Sequence, residues 1–277
     1  MLEAHLISHS HWDREWYLTR LQFRPGLVRL IDGLLELAEN APDYASFMLD
    51  GHTAALEDYL EIKPYNRERL TSAIQRGKII IGPWYILPDE LLISGESHIR
   101  NFITGRNVAK EFGPTMKAGY LPDSFGHPSQ MPQILNGLGL DSIIFWRGAS
   151  NEMDKTEFYW QAPDGESTVL CVNMPNGYCT AACMGPDVED AIKRLNLAMD
   201  SLGSQSSTNL LLLMNGSDHL HAEQNIPEII EAFNATTKDR RIVFSTMEDF
   251  LSDLRKGFRT ILRHLAEIYV METKQSC

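Results

Sequence analysis

The sequence predicts an α/β protein, a seven-stranded parallel β/α barrel with an inserted β-hairpin. Three observations carry that expectation. Short β-rich runs alternate with helical stripes, which implies a parallel sheet with helices outside. Chemically active side chains recur just after those runs, where parallel α/β folds place their sites. The length of 277 residues suits one barrel of about 250.

The first strand is expected over Ala4–Ile7. Pro25 then stands near a helix start, followed by a stripe of Leu27, Leu30, Ile31, Leu34, Leu35 and Ala38. Strands at Phe47–Leu49 and Lys78–Ile81 precede a helix from His98 to Phe112, stopped by Gly113-Pro114. Lys117–Leu121 and Ser142–Phe145 are the fourth and fifth strands. Phe158–Gln161 and Thr168–Val172 flank the turn signal Pro163-Asp164-Gly165 and read as the inserted hairpin. A helix from Val188 to Leu202 has an acidic first turn and ends at Gly203. Asn209–Met214 and Arg241–Phe244 complete the set.

Composition narrows the function. The net charge of −12 argues against a nucleic acid or an anionic membrane surface as partner. The N-terminus lacks a secretion signal and no apolar run approaches the roughly 18 residues of a membrane span, so a cytoplasmic protein is expected. Cys171, Cys179, Cys183 and Cys277 are too irregularly spaced for a disulfide framework or a metal knot, so reduced thiols are expected.

In His9-Ser-His-Trp-Asp-Arg-Glu-Trp16, an extended backbone sends His11 and Asp13 to one face, which makes half of a zinc site. The competing reading is a polar surface loop. Asp50 and His52 follow the second strand; Trp84, Tyr85, Asp89 and Glu90 the third. Asp123, Phe125 and His127 follow the fourth, Trp146 and Arg147 the fifth, and Asn215, Asp218, His219 and His221 the run of leucines. Six such strand ends point to one active site. Trp12, Trp16, Trp84, Tyr85, Phe125 and Trp146 beside carboxylates suit a sugar, whose C–H faces stack on rings while its hydroxyls bond to acids. Each tryptophan also has a core reading, and Asp123 and Asp218 each have a turn-acid reading.

His11-x-Asp13-x-x-Trp16, Tyr120-Leu-Pro-Asp-Ser-Phe-Gly-His127, Asn215-Gly-Ser-Asp-His219 and Gly82-Pro-Trp-Tyr-Ile-Leu-Pro-Asp-Glu90 together resemble the catalytic domain of the glycoside hydrolase family 38 α-mannosidases, of the short bacterial type, over residues 4–257. The resemblance implies a retaining, zinc-assisted enzyme acting on terminal α-mannosides or mannose-containing oligosaccharides. His11, Asp13 and Asp123 would hold zinc, Asp123 would also be the nucleophile, and Asp218 the acid/base. Trp16, Trp84, Phe125 and Arg147 would contact the sugar. The catalytic domain would occupy 1–257 and a divergent helical tail 258–277. The family draws a further zinc-binding histidine from a downstream motif outside this chain, along with further domains, so an incomplete, truncated enzyme is one expectation. The alternatives are a zinc-dependent deacetylase, in which one carboxylate would act as base, and a non-catalytic carbohydrate- or metal-binding fragment.

Overall fold

The structure, a computed structural model, describes residues 1–149 and 155–262. Its first half runs β1 (Leu2–Ser10), α1 (Arg20–Asn40), β2 (Phe47–Leu49), α2 (Ala54–Leu60), α3 (Arg67–Gln75), β3 (Ile79–Ile80), α4 (Gly95–Lys110), β4 (Gly119–Leu121) and α5 (Met131–Gly137). The second half runs β5 (Ser142–Phe145), β6 (Glu157–Gln161), β7 (Thr168–Asn173), α6 (Val188–Gly203), β8 (Leu210–Asn215), α7 (Ile226–Thr236), β9 (Arg240–Phe244) and α8 (Met247–Leu262). The expected tail begins inside α8, and residues 263–277 lie outside the described residues.

Helix ends follow local chemistry. Asp187 caps α6 by accepting from Asp190 N at 3.1 Å, and Ser94 caps α4 by accepting from Ser97 N at 3.2 Å. Helix α1 starts earlier than Pro25 suggests. The Gln22 side chain accepts from Thr19 N at 3.0 Å, so the helix begins at Arg20 and Pro25 falls in its second turn.

The class is α/β with parallel strands, but the ladder is not one continuous seven-stranded ring. Strands β3-β2-β1-β8 form one sheet, with β9 also paired to β1; β4-β5-β7-β6 form another. Every pairing is parallel except β6 with β7. The hairpin exists but is not an insertion. Its second strand pairs with β5 in the register Ser142↔Leu170, so β7 is a full member of the sheet. Both faces of β7 are buried: Leu170 and Val172 join the interior cluster, Val169 and Cys171 the cluster under α5. A strand covered on both sides reads as a continuous apolar run, which hid its place in the sequence.

Inner faces of both sheets share one core. Ile7, Met48, Tyr120, Ile144, Leu170, Val172 and Met214 meet there, and Phe250 and Leu254 of α8 pack against them. On β1 the period of two puts Ala4 and Leu6 against the helices while Ile7 points inward. His5, His9 and His11 share the parity of Ile7, and all three are buried. Among the described residues no helix is long and apolar enough to cross a membrane.

Gly216 marks the tightest approach beside the site. A Cβ there would lie 2.0 Å from His9 O and 2.7 Å from His9 C. Backbone cannot yield as a flexible side chain can. Gly216→Ala should therefore destabilise the fold by about 3 kcal/mol, read as a lower urea midpoint at unchanged slope.

Candidate active site

At the end of β1 the chain crosses the loop after β8. His11 N donates to Ser217 O at 3.2 Å and His219 N to His11 O at 2.8 Å, which sets Asp218 beside His11. The His11 ring has two different sides. Its Nδ1 lies 2.9 Å from Asp50 Oδ2 and 3.1 Å from Oδ1. Its Nε2 makes no hydrogen bond and lies 3.6 Å from Asp13 Oδ1. Burial works against a charged imidazole, but Asp50 and Asp13 outweigh it and hold the ring well above the usual histidine range. Burial likewise works against ionised Asp13, and the His11 contact still keeps that carboxyl below its ordinary value.

Across the site Arg147 Nε holds Asp123 Oδ1 at 2.6 Å. The guanidinium lies 3.8 Å from the Trp146 ring centroid and 4.8 Å from that of Phe125, so its plane is clamped. Behind it His127 joins two strand-end loops. Its Nδ1 is 2.6 Å from Glu90 Oε1, and its Nε2 donates to Arg147 O at 2.9 Å. That pair is shielded from solvent, and through it the backbone carrying Arg147 is tied to the loop that carries Glu90.

Tyr178 connects the two sides. Its hydroxyl donates to Asp218 Oδ1 at 2.9 Å, and its ring centroid lies 4.8 Å from that of His11. Burial raises the phenol well above its ordinary value, and the negative charges of Asp123, Asp218 and Asp50 add to the rise. Three carboxylates therefore act on one hydroxyl. Burial also pushes His9 down to about 4. The neutral ring then donates Nε2–H to Tyr178 O at 2.7 Å, which fixes the loop that carries the phenol.

His11, Asp13, Asp218, Asp123 and Arg147 thus all border the same region. Trp16 and Phe125 are 64% and 69% exposed, available for stacking at the rim. Trp84 is different: it is fully buried, with its Nε1 donating to Tyr120 O at 3.1 Å and its ring edge-on to Phe102. The expected sugar contact from Trp84 is therefore corrected to core packing, because its apolar ring is worth more inside than at the rim.

A zinc ion's fit rests on His11 and Asp13. The buried, unpartnered Nε2 faces a carboxylate, and the other ring nitrogen is already engaged, as in a metal-binding histidine. Among the described residues, however, no three His, Cys, Asp or Glu side chains are gathered as a complete shell. Asp123 is held by Arg147 and is not drawn in beside His11 and Asp13 as a third ligand. The pair fits the metal; the expected trio is not assembled.

Sequence reasoning passed over Tyr178 and assigned no role to Asp50, Glu90 or His127. Tyr178 follows β7, and reading β6–β7 as an insertion removed that strand end from consideration. Restoring β7 to the sheet would have exposed it.

The family model described as the glycosyl hydrolases family 38 N-terminal domain matches residues 1–270. A protein described as "Putative mannosylglycerate hydrolase" from Halalkalibacterium halodurans is 36% identical over 270 residues, which cover 91% of this chain and 30% of that protein. Alpha-mannosidase G of Dictyostelium discoideum is 27% identical over 268 residues, covering 95% of this chain and 24% of its own length. The crystal structure of an alpha-mannosidase from Enterococcus faecalis V583 superposes with a TM-score of 0.88 at 34% identity, over 92% of this chain and 29% of that one. The chain spans less than a third of the length of these relatives. With the family model matched over residues 1–270, the chain belongs to glycosyl hydrolase family 38, whose N-terminal domain it carries.

Proposed function

We propose that the chain provides the catalytic domain, over residues 1–257, of a retaining α-mannosidase that releases terminal α-linked mannose. One observation carries the reading: Tyr178 donates to Asp218 at 2.9 Å while lying against His11 and within the field of Asp123. Two carboxyl groups with different partners then act on one phenol. The two sheets are the arcs of a β/α barrel, a reading supported by the core that both line.

Retention uses one carboxylate as nucleophile and one carboxyl as acid, about 5–5.5 Å apart. Asp123, held in place by Arg147 Nε, attacks the anomeric carbon as the glycosidic C–O bond breaks. Asp218 gives its proton to the departing oxygen. In the second step Asp218 takes a proton from water, whose oxygen attacks the same carbon and displaces Asp123. Tyr178 holds Asp218 in orientation throughout. Trp16 and Phe125 offer ring faces to the sugar. His11 and Asp13 would hold a zinc ion, which when bound would orient the sugar's vicinal hydroxyls and favour ring distortion. Release of nitrophenol from p-nitrophenyl α-mannoside, with and without added zinc, tests the whole reading; no release in either condition rejects it.

Three variants divide the roles. Asp13→Ala should lower the zinc content of metal-saturated protein, measured by elemental analysis, and equal metal in both proteins counts against the site. Asp123→Asn should cut turnover of activated mannosides by roughly 1,000-fold or more, since it removes the group that forms the covalent intermediate. Its metal content is measured alongside, because the family resemblance also makes Asp123 a zinc ligand. Asp218→Asn should slow poor leaving groups far more than nitrophenol, which departs without a proton. Equal slowing of both substrates would make Asp218 a positioning residue instead.

A further inference from the structure

Asp50 lies at the end of β2, fully buried, and is distant in sequence from the motif it touches. Its Oδ2 accepts from Trp12 N at 2.8 Å, and the same carboxylate receives His11 Nδ1 at 2.9–3.1 Å. One side chain thus grips both the ring of residue 11 and the backbone between residues 11 and 13. The Asp50 backbone is held in the left-handed region, at φ 44°, and Gly51 follows at φ 67°. Trp84 N donates to Gly51 O at 3.1 Å and Thr53 N to Trp84 O at 3.0 Å, so the buried tryptophan segment braces this turn. A Cβ on Gly51 would meet Tyr120 Cδ1 at 2.9 Å, so the turn is pressed into the interior. The Asp50 carboxylate has no freedom to follow the ring; the ring must follow the carboxylate.

A carboxylate only accepts hydrogen bonds, so a neutral ring beside it keeps its proton on the facing nitrogen. We propose that Asp50 is the positioning residue of the His11-Trp12-Asp13 motif: at 2.9–3.1 Å it is nearer the ring than Asp13 at 3.6 Å, so in the neutral ring the proton stays on Nδ1 and the lone pair is left on Nε2. The consequence for metal binding rests on the zinc reading above; the tautomer does not. The lone pair on Nε2 is the ligand orbital, and a proton there would block it. Asp50 thus supplies the electronic half of the site while the strand supplies its direction.

Nitrogen-15 NMR of histidine-labelled chain tests this, at a pH high enough to leave the ring neutral, with His11 assigned by comparison with His11→Gln. The expected wild-type spectrum shows the proton on Nδ1. Asp50→Asn keeps the size of the side chain and tolerates the left-handed backbone, but removes the charge and one acceptor. It should move population toward the Nε2–H form and weaken zinc binding by roughly 10- to 100-fold in a titration with zinc alone. A wild-type ring protonated on Nε2, or an unchanged tautomer in Asp50→Asn, overturns the proposal. If the variant does not fold, the wild-type tautomer decides alone. Should wild type show Nδ1–H yet bind no zinc, the metal reading falls and the role of Asp50 in setting the tautomer stands.

Discussion

Strand β1 is the constraint on which the site depends. It pairs with β8 along Glu3–Ser8, with β9 along Leu2–Leu6, and with β2 at His9 and Ser10. With neighbours on both edges and side chains buried on both faces, it cannot slip by one residue. A slip would turn Ala4 and Leu6 inward and drive His5, His9 and His11 against the helices. The position of the imidazoles therefore follows from the apolar residues between them. Ile7 in the interior, and Ala4 and Leu6 under the helices, fix the register that delivers His11 to the strand end.

Around that strand end, buried polar side chains are held by groups from distant parts of the chain. Asp50 takes His11 and Trp12 N, Glu90 takes His127, and Asn215 is held by Ser8 and Ala181 O. The pattern is what desolvation demands, since a polar group taken out of water must recover its hydrogen bonds inside the protein. It also explains why the motifs contain residues whose contacts are all with other parts of the chain. Asn215 in Asn-Gly-Ser-Asp donates to Ala181 O at 2.7 Å and Glu223 Oε1 at 2.9 Å, tying the Asp218 loop to the chain after β7. His127, at the end of its motif, anchors Arg147 and through it Asp123. Such residues fix where Asp218 and Arg147 stand.

Much of this was legible in the chain, element by element. The stripe from Leu27 to Ala38 packs as the inner face of α1, and Val188–Leu202 became α6 nearly to the residue. Groups after β1, β5 and β8 meet at Tyr178: His11 and Trp146 pack against its ring, and Asp218 accepts from its hydroxyl. Trp84 failed because a tryptophan beside acids looks alike whether its ring faces solvent or core; only its contact with Phe102 and its bond to Tyr120 O separate the two. The hairpin failed for a related reason. Turn chemistry at Pro163-Asp164-Gly165 identifies a hairpin but says nothing of what lies along the outer edge of its second strand.

By itself the sequence determined the α/β class, the alternation that brings functional side chains to strand ends, and the family to which those motifs belong. These are local or periodic properties: spacing of two along a strand, about 3.6 along a helix, and short runs of particular residue types. Tertiary structure alone decided which carboxylates meet which cations and phenols. The Asp50 grip on His11 spans 39 residues of chain, and the Tyr178 bond to Asp218 spans 40. No periodicity encodes such a contact. It arises because sheet pairing and a shared core bring the strand ends together, and the low dielectric there makes each charge find its partner.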